Sequence, residues 1–299
     1  MLAGETACLG AAFIWAFSVG LYRGPIQAHG ARTINLAKCL IAAIFFAATV
    51  ALTAGAGPFR GASSPDLLLI AASGLVGLTL GDSALFASVG ALGPYRALLL
   101  QTLAPVFTVL MAVAALGESF PAGKWAGMAV TLSGIALVLA PHSGGGGAAG
   151  RSLPRWSARG ISLGVLGALG QAGGVLLAKA GMATVPFLPA SFLRLSAATA
   201  GLIVLGVFDG RLKKAAGLAR SVPDRRRVLG AAFLGSYIGI LLMMAGISLA
   251  PAAVAAVLLS TTPVFALAFD VARGKERLTL RAAGGTLLAI AGVALISVV

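Results

Sequence analysis

Polar positions are so sparse along this chain that they punctuate it rather than alternate with the apolar ones. Apolar runs of the ~20 residues that cross a bilayer as a helix fall at 3–21, 33–54, 66–91, 95–116, 122–140, 160–179, 187–208, 228–249, 252–272 and 281–299. Within each run the apolar character is continuous, and lipid offers no partner for an open sheet edge. All ten are therefore predicted to be helices, numbered here as spans 1 to 10. Glu5 stands where a cleavable signal would carry positive charge, so span 1 is expected to remain as a span.

The longest polar interruption, residues 142–159, contains four consecutive glycines, Gly144 to Gly147, and reads as a flexible linker between residues 1–141 and 160–299. The two halves are related. Shifted by 158, residues 77–140 lie on 235–298 without a gap. Gly77 meets Gly235, Gly81 meets Gly239, Gly127 meets Gly285 and Gly134 meets Gly292. Pro105-Val106-Phe107 meets Pro263-Val264-Phe265, and a glutamate follows each proline by thirteen residues, Glu118 and Glu276. A looser shift of 156 sets Lys38 on Arg194. Because five spans is an odd number, the second repeat enters the membrane upside down, the arrangement of many secondary transporters.

Composition narrows the class further. Of 299 residues, 59% are hydrophobic and 10% charged, against roughly 25% charge in a soluble domain. That excludes a soluble fold and a disordered chain, and two cysteines exclude a disulfide scaffold. The net charge of +14 would suit nucleic-acid binding, but the basic residues avoid the apolar runs and gather between them, as in the loops that orient a membrane protein. Arg23, Arg32, Arg96, Arg151, Arg155, Arg159, Arg273, Lys275, Arg277 and Arg281, together with the cluster from Arg211 to Arg227, share one side. The opposite loops hold little beyond Arg60, Lys124 and Lys179. A multi-pass protein of the cell (inner) membrane with both termini outside the cytoplasm is the expectation.

Gln101-Thr102-Leu103-Ala104-Pro105-Val106-Phe107, Leu116-Gly117-Glu118, Gly127 and Gly134, with Ser260-Thr261-Thr262-Pro263-Val264-Phe265, Glu276, Gly285 and Gly292, resemble the drug/metabolite transporter superfamily of EamA type. Gly81-Asp82 is similar to a Gly-Asp of one subgroup. The resemblance covers nearly the whole chain. It implies an all-α integral membrane fold of ten helices in two inverted five-helix repeats, a central cavity lined by spans 1, 3, 4, 6, 8 and 9, and export of amino acids or other small metabolites. Many members of that superfamily are thought to hold both termini in the cytoplasm; the loop charges of this chain point the other way.

A charge at mid-membrane depth is costly and needs a partner or a task. Asp82 stands near the middle of span 3, and its repeat mate is Ile240, so symmetry does not require it. It is a candidate contact for a substrate amine or a protonation site; the structural alternative is an ion pair with Lys38, Lys179 or Arg194. Lys38 and Arg194 either hold an anionic substrate group or snorkel and cap helices. Lys179 ends span 6, at the interface or as a gate. Asp270 is expected to form a salt bridge with the Arg273–Glu276 segment, and Glu118 and Glu276 to close helix ends.

Pro105 and Pro263 should kink spans 4 and 9. Around them Gln101, Thr102, Ser260, Thr261 and Thr262 form either a binding floor or ordinary interhelical hydrogen bonds. Trp15, Ser18, Gln171 and Tyr237 are candidates for the cavity wall, with core packing as the alternative. Glycines four apart, Gly77/Gly81, Gly235/Gly239, Gly123/Gly127 and Gly170/Gly174, should bring helices close. His29 and His142 lie in loops, the Cys and His residues are scattered, and no phosphate-binding Gly-Lys-Ser/Thr loop occurs. Neither an enzyme, a cofactor nor a metal is expected. The partners are the bilayer, a small-molecule substrate and, through Asp82, protons. The sequence fixes no oligomeric state, and drug or cation efflux and a non-transporting membrane or lipid-handling scaffold remain as other readings.

Overall fold

A computed structural model describes residues 2–53, 57–116, 122–139, 157–209, 217–218, 220–249 and 258–298. The linker as far as residue 156, Glu118, His142 and the basic residues Arg151, Arg155, Arg211, Lys213 and Lys214 lie outside the described residues. Among the described residues every regular element is helical. The result is an all-α membrane protein, six of whose helices have the length and apolar character to cross a bilayer.

Several helices outrun the apolar stretches that mark them. Span 1 runs Leu2–His29, not to residue 21, and carries Pro25 inside its end. Span 8 begins at Val222, so Arg225, Arg226 and Arg227 form its first turns rather than a loop. Burial in lipid selects the apolar core of a helix, while backbone hydrogen bonds carry it on into the polar zone. Spans 1 and 2 (Ala31–Thr53) are separated by one residue, Gly30, whose φ of 88° reverses the chain where a side chain would be strained. Ser63 opens span 3 by accepting from the Asp66 N–H at 3.2 Å, and Ser157 opens span 6 (Ala158–Gly181) by accepting from the Gly160 N–H at 3.1 Å.

Spans 3 and 8 each change register midway. Between Ser64–Ser73 and Asp82–Leu92, residues Gly74–Gly81 form a π-helix closed by the Asp82 N–H on the Gly77 carbonyl. In span 8, Ala232–Ile238 does the same, closed by the Gly239 N–H on the Leu234 carbonyl. Shifted by 158, the first segment falls on the second.

Helix packing follows the repeats in exchanged pairs. Span 1 packs on span 8 and on span 9, and span 6 packs on span 3 and on span 4, so the first helix of each repeat sits in the other repeat. Span 2 packs on span 7 (Phe187–Phe208), and span 5 (Ala122–Leu139) on span 10 (Leu280–Val298). In that last pair Gly127 lies against Gly292, and Gly134 against Gly285. Residue numbers run in opposite directions along the contact, and each glycine meets the repeat mate of the other. Repeat mates are therefore antiparallel about a pseudo-two-fold axis. Lipid is as apolar as leucine and drives no hydrophobic association, so close backbone approach at such small residues holds the bundle.

Candidate functional site

The polar side chains of the bundle gather in four places. The first is a charge cluster on span 3. Lys38 of span 2, 6% exposed, forms an ion pair with Asp82 and lies 5.2 Å over the Phe86 ring. Geometry thus selects one of the cations open to Asp82 and leaves Lys38 inside rather than snorkelling. Arg194 stands within electrostatic reach of Asp82. Its Nη2 lies 2.8 Å from where a Gly77 side chain would begin, one π-helical turn from Asp82. Lys179 is exposed in the last turn of span 6, away from the cluster.

The second place is the pair of π-helical segments, which free carbonyls that neighbouring helices must satisfy. In span 3, Asn35 donates to the Leu78 carbonyl at 2.7 Å and to Ser83 Oγ at 3.1 Å. In span 8, Trp15 donates its Nε1–H to the Gly235 carbonyl at 2.8 Å. Ser18, one turn along span 1, is buried and packs on Gly235. On the far side of span 8, the Tyr237 hydroxyl pairs with Thr49 Oγ1 at 2.6 Å, and its ring joins Phe45, Phe46 and Phe233. The π-helical segments escape residue-type reasoning. Asn35 carried the same signal as Lys38, a polar group inside an apolar run.

The third place is the break in spans 4 and 9. Pro105 has no N–H and cannot bond the carbonyl four residues earlier. Span 4 accordingly divides at Thr102 into Pro94–Gln101 and Leu103–Leu116. In span 9 the turn at Ser260 and Thr261 precedes Thr262–Ala272, which carries Pro263 in its first turn. Thr102 Oγ1 donates to the Leu99 carbonyl at 2.7 Å, Thr261 Oγ1 to Leu258 at 2.6 Å and Thr262 Oγ1 to Leu259 at 2.7 Å. These hydroxyls serve the broken turns of their own helices rather than bridging between helices. Gln101 reaches across to the Gly164 carbonyl of span 6 at 3.4 Å.

The fourth is an open pocket of ≈ 380 Å³ between spans 4, 6 and 10, lined by Ala104, Pro105, Thr108, Gln171, Val175 and Ile296. Its lining is mostly apolar, and Gln171 Oε1 is buried there without a hydrogen-bond partner among the described residues. Of the expected site residues it brings Pro105 and Gln171 together. Asp82, Gln101 and Trp15 are not part of this lining.

One end of the bundle is tied across the repeats. Asp270, 2% exposed, accepts from the Tyr95 N–H at 3.2 Å. It caps the first half of span 4, and it stands within electrostatic reach of Lys275 in the segment where its salt bridge is expected. Glu276 pairs instead with Arg96, at 2.7 Å to Nε. Burial raises the Glu276 carboxyl above the ordinary glutamate value although Arg96 opposes the shift. Burial likewise lowers neighbouring Lys275, with Arg23 adding repulsion.

Comparison with known proteins agrees with the repeat. The model of the EamA-like transporter family matches residues 2–140 and 158–298. A curated protein of Streptantibioticus cattleyicolor named "Probable terminal-alkyne amino-acid exporter" is 32% identical over 126 residues, covering 42% of this chain and 40% of its own length. The match thus spans less than half of that relative. A solved structure titled only "Crystal structure of protein" superposes with a TM-score of 0.60 over 99% of this chain and 96% of its own, at 16% identity. At that identity the likeness is one of fold.

Proposed function

We propose that this chain, which belongs to the EamA-like transporter family, exports small polar metabolites such as amino acids by alternating access. That it is a multi-pass membrane transporter follows from the family and the helices; cargo, direction and mechanism are the proposal. The observation that carries it is the exchanged packing of the repeats. Span 1 sits on the π-helical segment of span 8 through Trp15 and Ser18, and span 6 on that of span 3 through Gly170 and Gly174. Such pseudo-symmetric crossings support a rocking of the bundle in which the two repeats trade roles. The broken spans 4 and 9 supply the hinges, and the pocket at Pro105 and Gln171 opens beside the break in span 4. Asp82, a half-buried carboxylate outside the repeat symmetry, is the protonation site. Amino acids enter as cargo through the partial likeness to a protein named as an amino-acid exporter.

Counterflow in proteoliposomes tests this reading. Saturable exchange of at least one member of an amino-acid panel is expected, and Asp82→Asn should abolish it while leaving the protein folded. Wild-type protein that exchanges none of the panel overturns it.

A further inference from the structure

The charge cluster on span 3 does not balance. Lys38 and Arg194 bring two cations to one carboxylate, Asp82, which is taken by Lys38. Arg194 as a residue is half-buried, but its Nε and Nη2 atoms are fully covered and have no hydrogen-bond partner among the described residues. Leaving a guanidinium in this state is costly, because desolvated donors lose their water without replacement. The two orphaned nitrogens are also a matched set. Nε–H and an Nη–H on the same edge of the planar guanidinium point in parallel, the geometry that binds both oxygens of a carboxylate.

We propose that the Nε/Nη2 edge of Arg194 is a carboxylate-recognition site for the solute this protein handles. Three features support it. A bound carboxylate gives Arg194 an anion of its own beside the Lys38–Asp82 pair. Gly77 keeps side-chain bulk away from the guanidinium: a Cβ there would meet Nη2 itself, at 2.8 Å, and would lie 3.2 Å from the Gly174 Cα. The Asp82 side chain retains 14% of its exposure, so the cluster is not sealed. Asp82 lies one π-helical turn away, so a solute that also bears an ammonium group would place it on the acidic side of the cluster.

The proposal names the recognition chemistry of the transporter proposed above and rests on that reading for its choice of probes. Purified full-length protein is titrated with matched pairs, leucine against leucinamide and phenylalanine against phenylalaninamide, and thermal stabilisation is followed. The acids should stabilise saturably and the amides should bind about tenfold more weakly or worse. Arg194→Gln should remove the distinction. Arg194→Lys, which keeps the charge but not the fork, covers the case in which the glutamine variant does not fold, and should weaken the acids about tenfold. Equal response to acids and amides, no response to either, or an undiminished preference for acids in both variants overturns the proposal. Flux in liposomes separates the two readings. Binding of acids without any flux sinks export and keeps the carboxylate site; equal flux of acids and amides sinks the site and keeps export.

Discussion

Trp15 donates its indole N–H to the Gly235 carbonyl, 220 residues further along the chain, across 2.8 Å. The acceptor lies inside the π-helical segment of span 8, and the donor belongs to the opposite repeat. The π register thus turns a backbone carbonyl outward, and span 1 is fastened by it. Asn35 plays the corresponding part for Leu78 in span 3, from within the same repeat.

Trp15→Phe keeps an aromatic ring against Gly239 but removes the donor. The unmade bond at a covered carbonyl should cost about 1–3 kcal/mol. Thermal unfolding in detergent should show the loss, and transport should slow. Unchanged stability and flux would mean that the bond does not hold the crossing.

The contact of spans 5 and 10 tolerates no added carbon. A Cβ at Gly134 would lie 2.6 Å from the Gly285 carbonyl oxygen, and one at Gly285 would lie 2.8 Å from that of Gly134. Gly134→Ala and Gly285→Ala should each destabilise by about 1–3 kcal/mol, the usual penalty of overpacking. Gly284→Ala meets nothing within 4 Å and serves as the control. Equal melting temperatures for all three would refute the close approach.

Lys38 and Asp82 are covered to a similar degree. Removing one partner strands the other, which in buried pairs costs about 3–5 kcal/mol, whereas replacing both is far milder. Lys38→Met should therefore lower thermal stability, and adding Asp82→Asn should restore much of it. A double variant no better than the single one would show that Asp82 draws its compensation from Arg194 alone.

How much of this was legible beforehand depends on what each feature is made of. The spans and repeats rest on apolar runs and on landmarks such as Pro105-Val106-Phe107, all properties of residue type. Spans 1 and 8 run beyond their apolar stretches because Arg23 in the one and Arg225 to Arg227 in the other are helical yet charged. The π-helical segments depend on hydrogen-bond register, which Gly77 and Gly235 allow without announcing. Thr102, Thr261 and Thr262 stood out as hydroxyls at the right level, but whether they bond across or along the helix is settled by local turns. Lys38, Lys179 and Arg194 were equal candidates for Asp82 until the packing of span 2 on span 3 brought Lys38 alone into contact with it.

Glu276 gives a pH signature outside the membrane. Its carboxyl titrates above its usual 4.5 in the folded protein, chiefly through burial. The folded state therefore binds a proton more readily than the unfolded chain. Its stabilising contribution is present below the ordinary glutamate value and is lost as pH rises through the folded value. Glu276→Gln should flatten the stability profile in that window, from 4.5 upward, relative to wild type. Parallel wild-type and variant profiles would remove Glu276 from the pH response.

Orientation follows from which loops share a face and from their charge. His29, after span 1, pairs with Asp224 at the start of span 8 at 3.0 Å, and Arg96, before span 4, pairs with Glu276 after span 9. At the other end Thr184, after span 6, bonds Asp66 at the start of span 3 at 2.5 Å. The first face carries the arginine-rich loops, and we propose from the positive-inside rule that it lies in the cytoplasm with both termini outside. Cys8 and Cys39 are both buried, so single cysteines placed at exposed loop residues report the two faces cleanly. In intact cells a membrane-impermeant maleimide should label Arg60→Cys, and should label Leu278→Cys only after permeabilisation. The reverse pattern would turn the protein over in the membrane, setting its loop charges against the rule and its termini in the cytoplasm.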